Sequence, residues 1–211
     1  MGNYYFYKIA EFLTRILPLK ISYLVAVLLS DCQYFLSAAD RSSVADNLKT
    51  ITGAPSVPSS MVRAVFPTFG KSLIDFFTMT HRVNKDYIKN SVHIEGMEHL
   101  NHVLKEGKGG ILLSAHLGNW ELAGSVISLL GYPLSVVALS HRDDKVNTYF
   151  NRQREFFGTK VIQTNVAIRR CLQDLKANRL IAILGDRDFG HHGIPMSFFG
   201  KKALILLILS L

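Results

Sequence analysis

Gly109-Gly110-Ile111-Leu112-Leu113-Ser114-Ala115-His116-Leu117-Gly118-Asn119-Trp120-Glu121 is the stretch on which the fold turns. Two glycines punctuate the chain, an uncharged run of strand length follows, and a titratable side chain closes it. Such a run behind a glycine mark predicts a buried strand. Gly118 permits a tight bend, and a helix is predicted from Asn119 to Leu130. The alternation then repeats: a strand over 134–139, a helix over 146–157, a strand over 160–162, a helix over 166–177 and a strand over 180–184. Strands alternating with helices of about 12 residues predict an α/β layer with a mainly parallel sheet.

In an open parallel sheet, ligands gather beyond the carboxyl ends of the strands. Three of the predicted strands deliver polar groups to that edge. His116 closes the first, Ser140-His141-Arg142 follows the second, and Asp186-Arg187-Asp188 closes the last. One shared site assembled from loops is the expectation.

Upstream of this layer the pattern is helical. Met61 to Thr80 spaces Val62, Val65, Phe66, Phe69, Leu73, Phe76 and Phe77 for one apolar face, and Asp40 to Leu48 opens another helix. Thr52 to Ser60 reads as a loop, Val92 to Glu95 as a short strand, and Met97 to Lys105 as a short helix. The first 40 residues are aromatic and aliphatic, with an uncharged run from Ile21 to Ser30. Ten residues fall short of the roughly 20 that a bilayer core requires. Pro18 breaks or kinks a helix through it. An uncleaved anchor in the membrane interface is expected, with a helical hairpin packed on the domain as the alternative.

The whole chain of 211 residues is 48% hydrophobic and carries a net charge of +8, with a mean hydropathy of +0.19. These values exclude a disordered chain, and two cysteines exclude a disulfide-stapled scaffold. Cys32 and Cys171 are expected to be free, buried thiols. An apolar yet basic composition suits an anionic membrane face better than a nucleic acid. Residues 140–180 hold nine basic and four acidic side chains, so the excess is local. A surface for phosphates and a set of solvated helix faces are both consistent with it.

His116 and Glu121 are five residues apart, about 140° around a helix, which is not the spacing of a zinc-binding helix. With His116 in the strand-to-helix turn, the Glu121 carboxylate in the first helical turn can curl back to the imidazole. A carboxylate on one ring nitrogen makes the other a general base for a hydroxyl. The alternative is a capping histidine with a first-turn acid that complements the helix dipole.

Ser114-Ala-His-Leu-Gly-Asn-Trp-Glu121 resembles the HX4E block of the lipid A biosynthesis (lauroyl/myristoyl) acyltransferase family, within the glycerolipid-type acyltransferases. Further blocks follow in the family's order. Arg41-Ser-Ser-Val44-Ala-Asp-Asn47-Leu48 resembles its R-x2-V-x2-N-L helix, and Phe69 to Phe77 its phenylalanine-rich helix. Arg154-Glu-Phe-Phe157-Gly158 resembles its arginine-glycine block. Gly185-Asp186-Arg187-Asp188-Phe189, with Gly193 and Phe198-Phe199-Gly200, resembles its D-[QR]-D block and downstream FFG.

The resemblance implies transfer of a fatty acyl chain from an acyl carrier protein or coenzyme A thioester to a hydroxyl of a glycolipid, a lipid A precursor by default. It assigns His116 as the base and Glu121 as the residue that orients it. Asn119, Arg154, Asp186, Arg187 and Asp188 become substrate-binding, with Arg152 an alternative to Arg154. It implies no bound cofactor and no metal. Asp186-x-Asp188 with His191-His192 leaves open a metal-dependent glycosyltransferase. The partners implied are the thioester donor, the glycolipid and the membrane, with no nucleic acid, at the cytoplasmic face of the inner membrane.

The expected division is an anchoring segment at 1–39, a helical region at 40–91, an incomplete catalytic domain at 92–203 and an apolar tail at 204–211. After Gly200 the family pattern of a Pro- and Gly-containing segment, further strands and a basic helix is replaced by Lys201-Lys202-Ala-Leu-Ile-Leu-Leu-Ile-Leu-Ser-Leu211. A shortened chain is therefore expected, and an inactive membrane-bound remnant is the competing reading.

Overall fold

The computed structural model describes residues 4–186 and 193–205. Arg187, Asp188, His191, His192 and tail residues 206–211 lie outside them. Six helices lead the chain: α1 (Tyr4–Ile16), α2 (Leu19–Leu36), α3 (Ala38–Thr52), α4 (Ser59–Arg82), α5 (Lys85–Ser91) and α6 (Met97–Lys105). The alternating part follows as β1 (Gly110–Ser114), α7 (Trp120–Leu129), β2 (Leu134–Ala138), α8 (Asp144–Glu155), β3 (Lys160–Gln163), α9 (Ala167–Lys176) and β4 (Leu180–Leu184). β5 (Ile194–Phe198) and β6 (Lys201–Ile205) form a separate two-stranded sheet.

The expected α/β layer is present as a four-stranded sheet in the order β1-β4-β2-β3, every pair parallel. The stretch Val92 to Glu95 is not a strand: α5 ends just before it and, among the described residues, no strand pairs with it. Crossovers through α7 and α8 step one way along the sheet, and the crossover through α9 steps back. Right-handed connections therefore put α7 and α8 on one face and α9 on the other. β4 slots between β1 and β2, which sets the ends of β1 and β4 side by side.

The chain clusters into two compact units. One comprises Met1–Tyr7, Met79–Ile194 and Leu204–Leu211 and contains the four-stranded sheet. Leu134, Leu180 and Ile181 are fully buried there, and Ile162, Ala167, Cys171 and Ile183 pack around Ile181. Burial pushes the Cys171 thiol up, with the nearby Asp174 charge adding to the effect. Cys32, by contrast, is exposed. A polar network ties the amino ends of the strands to α9. Asp174 accepts from Ser135 Oγ at 2.7 Å and from Lys160 Nζ at 2.5 Å, and Arg179 donates to Ser135 Oγ at 2.9 Å and to the Leu134 carbonyl at 2.7 Å. Lys160 and Arg179 are therefore engaged by Asp174 and its neighbours, so not every cation of residues 140–180 is free for a ligand.

The other unit comprises Lys8–Thr78 and Pro195–Ala203. α2 is one continuous helix of 18 residues with a mean hydropathy of 1.3, long and apolar enough to cross a membrane by length and composition. The ten-residue count of the sequence reading fell short because Lys20 and Asp31 interrupt the uncharged run without interrupting the helix. On α1, Ile9, Phe12 and Ile16 are exposed, whereas Glu11 is buried and held by Lys8 and Arg15. α4 buries Val62, Phe66, Phe76 and Phe77 but leaves Val65 and Phe69 exposed. α2 and α4 cross closely at Gly70: a Cβ there would stand 2.4 Å from Ser30 Oγ and 3.1 Å from the Ala26 carbonyl oxygen. Arg63 clamps Asp31 through two hydrogen bonds of 2.8 Å.

Candidate active site

β1 ends at Ser114, and the turn to α7 runs through Gly118, whose φ of +62° lies in the left-handed region that glycine tolerates. Asn119 caps α7, its side-chain oxygen accepting the Leu122 N–H at 3.0 Å. Substrate binding is the expectation for Asn119; the role seen in the fold is that of the helix cap. The turn leaves His116 just beyond the strand and Glu121 in the first helical turn, as their spacing requires.

The carboxylate that meets His116 is that of Asp186, at the end of β4. His116 Nδ1 lies 2.8 Å from Asp186 Oδ1, and the His116 main-chain N–H reaches the two carboxylate oxygens at 3.0 and 3.1 Å. Burial alone would raise the Asp186 carboxyl, but the side-chain and main-chain hydrogen bonds from His116 outweigh it and hold it below the ordinary value. An ionised carboxylate only accepts, so Nδ1 is the donor to Asp186, and in the neutral form of the ring the lone pair lies on Nε2. Trp120 packs edge-on against the imidazole, ring centres 4.8 Å apart. The Nδ1–carboxylate bond and this contact fix the ring's orientation.

Glu121 does not curl back to the imidazole. Both its oxygens are taken by Arg154 of α8: Nη2 to Oε1 at 2.7 Å, and Nε to Oε2 and Oε1 at 3.0 and 3.2 Å. The two side chains retain only 16% and 20% of their exposure, so the pair is shielded and charge-assisted. α8 points Arg154 inward and leaves Arg152 exposed, because two residues along a helix turn the side chain through about 200°. Arg154 is thus the arginine at this site. Its Nε and Nη2 are committed to Glu121.

The sequence reading put His116, Glu121, Arg154 and Asp186 in one place, and the structure brings all four to the same edge of the sheet. The exchange of partners was not legible, because it depends on β4 lying beside β1, 70 residues away in sequence. Arg187 and Asp188 fall outside the described residues. Among the described residues no group of three or more His, Cys, Asp or Glu side chains is arranged to hold a metal ion.

The model of the bacterial lipid A biosynthesis acyltransferases matches residues 2–211. A phosphatidylinositol mannoside acyltransferase of Mycobacterium tuberculosis (strain CDC 1551 / Oshkosh) is 26% identical over 178 residues, 80% of this chain and 56% of that protein. A phosphatidylinositol mannoside acyltransferase of Mycolicibacterium smegmatis is 25% identical over 161 residues, 74% of this chain and 53% of that protein. A lipid A biosynthesis acyltransferase of Haemophilus influenzae is 25% identical over 118 residues, 56% of this chain and 37% of that protein. The chain spans about half the length, or less, of the curated relatives it matches.

Proposed function

Because the chain belongs to the bacterial lipid A biosynthesis acyltransferase family, we propose that it transfers a fatty acyl chain from a thioester of acyl carrier protein or coenzyme A to a sugar hydroxyl of a glycolipid. Relatives named for lipid A and for phosphatidylinositol mannoside point to a glycolipid acceptor. A lipid A precursor is the default. The observation that carries the reading is the 2.8 Å bond between His116 Nδ1 and Asp186 at the carboxyl edge of the sheet.

His116 Nε2 takes the proton of the acceptor hydroxyl as its oxygen attacks the thioester carbonyl carbon. Asp186 holds the ring and balances the imidazolium that forms. The tetrahedral intermediate then expels the thiolate, the C–S bond breaks, and the imidazolium returns the proton to sulfur. An ester and a free thiol result, and the base is restored. Glu121 acts through Arg154: the pair ties the first turn of α7 to α8 and so positions the turn that carries His116. No bound cofactor enters these steps.

The exposed apolar side chains of α1 and the composition of α2 support work at a membrane; the side proposed is the cytoplasmic face of the inner membrane, because a thioester donor is taken up there. Transfer is measured on membranes containing the chain, with acyl-carrier-protein and acyl-coenzyme A donors offered separately. His116→Ala abolishes transfer with either donor. Undiminished transfer by that variant would overturn the assignment of the base.

A further inference from the structure

His141 follows β2 and makes no side-chain hydrogen bond among the described residues, although its ring is held firmly. The imidazole stacks on Phe150 of α8 with ring centres 4.6 Å apart and planes inclined by 34°. The Arg154 guanidinium lies 5.9 Å from the centre of the same Phe150 ring. The His141 main-chain N–H is anchored to Asn147 Oδ1 at 3.2 Å. A half-buried imidazole with two unused ring nitrogens therefore stands beside the Arg154–Glu121 pair, on the sheet edge that carries Asp186.

The charges around it select the ligand. Glu121 balances the charge of Arg154, so the pair beside the imidazole carries no net charge. Arg154 Nη1 has no part in the clamp on Glu121. Burial, and then the Arg154 cation, hold His141 below the ordinary histidine value against the pull of Glu121. The ring is thus neutral, with one donor and one acceptor nitrogen. A hydroxyl matches that pair, since it both accepts and donates, whereas a carbonyl only accepts.

Resting on the acyltransfer reading above, the geometry points to His141 as a specificity-determining residue that binds an uncharged hydroxyl of the acceptor's sugar headgroup, with Arg154 Nη1 as second donor. A site that hydrogen-bonds a substrate hydroxyl discriminates strongly against analogues lacking it.

Binding is read without turnover, from the imidazole signals of histidine-labelled chain by NMR. The probes are octyl glucoside below its micellar concentration and octyl phosphate, which share a chain length and differ in headgroup. Octyl glucoside shifts the His141 signal saturably and octyl phosphate does not. His141→Phe, which keeps the ring stack, weakens octyl glucoside binding at least ten-fold, and His141→Gln restores part of it. In the transfer assay His141→Phe raises KM for the acceptor about ten-fold, with KM for the thioester unchanged. Equal shifts from the two probes, unchanged glucoside binding by His141→Phe, or a KM effect confined to the thioester would each overturn the proposal. Absence of transfer by the wild-type chain, with the glucoside shift intact, would instead count against the acyltransfer reading.

Discussion

Asp186 grips His116 twice, through the ring Nδ1 at 2.8 Å and through the main-chain N–H at 3.0 and 3.1 Å. Asp186, just past β4, therefore sets both the position of the residue and the nitrogen that donates. In nitrogen-detected NMR, the neutral His116 imidazole is expected to carry its proton on Nδ1. Asp186→Asn removes the charge that imposes this choice, and both tautomers then become populated. An Nε2–H ring in the wild-type chain would contradict the arrangement.

Glu121 and Arg154 are coupled. Removing either leaves a shielded charge without its partner, at a cost of about 3 kcal/mol. Arg154→Ala and Glu121→Ala should each lower the free energy of unfolding by that amount, while the double variant falls well short of twice the loss. Additive losses in urea denaturation would show that the two side chains act independently.

At Asp174, burial raises the carboxyl, but hydrogen bonds from Lys160 and Ser135 and the charges of Lys160 and Arg179 outweigh it, so it lies below the ordinary value. A carboxyl depressed in the folded state lends stability that is fully present above its unfolded value of about 3.9 and is lost as pH falls through the lower folded value. Urea denaturation between pH 6 and pH 3 is expected to show a shallower acid limb in Asp174→Asn than in the wild-type chain.

Gly70 marks the crossing of α2 and α4. Gly70→Ala places a methyl group against Ser30 Oγ and the Ala26 carbonyl and should cost about 1–3 kcal/mol. Adding Ser30→Ala recovers part of the loss, because it removes the nearer of the two contacts. Thermal denaturation of the single and double variants checks the order of stabilities.

The alternation of uncharged runs with amphipathic helices made the parallel sheet legible, and the strand-end positions of His116 and Asp186 made a shared site legible. Strand order was not legible. Nothing in residues 110–184 says that β4 inserts beside β1, and that insertion gives His116 its carboxylate and frees Glu121 for Arg154. Charge counting likewise could not show that Lys160 and Arg179 are engaged at Asp174, because a buried acceptor leaves no local signature. His141 was singled out as a polar strand end, but its stack on Phe150 depends on how α8 packs. α2 was undervalued because its charged residues interrupt the count of apolar residues and not the helix.

The central claim is that His116 acts as the base with Asp186 behind it. The most direct test is the single-turnover rate of acyl transfer by Asp186→Asn, which preserves shape and removes the charge. The account predicts a fall of about 10² to 10⁴ with substrate binding retained. A rate equal to that of the wild-type chain would contradict it.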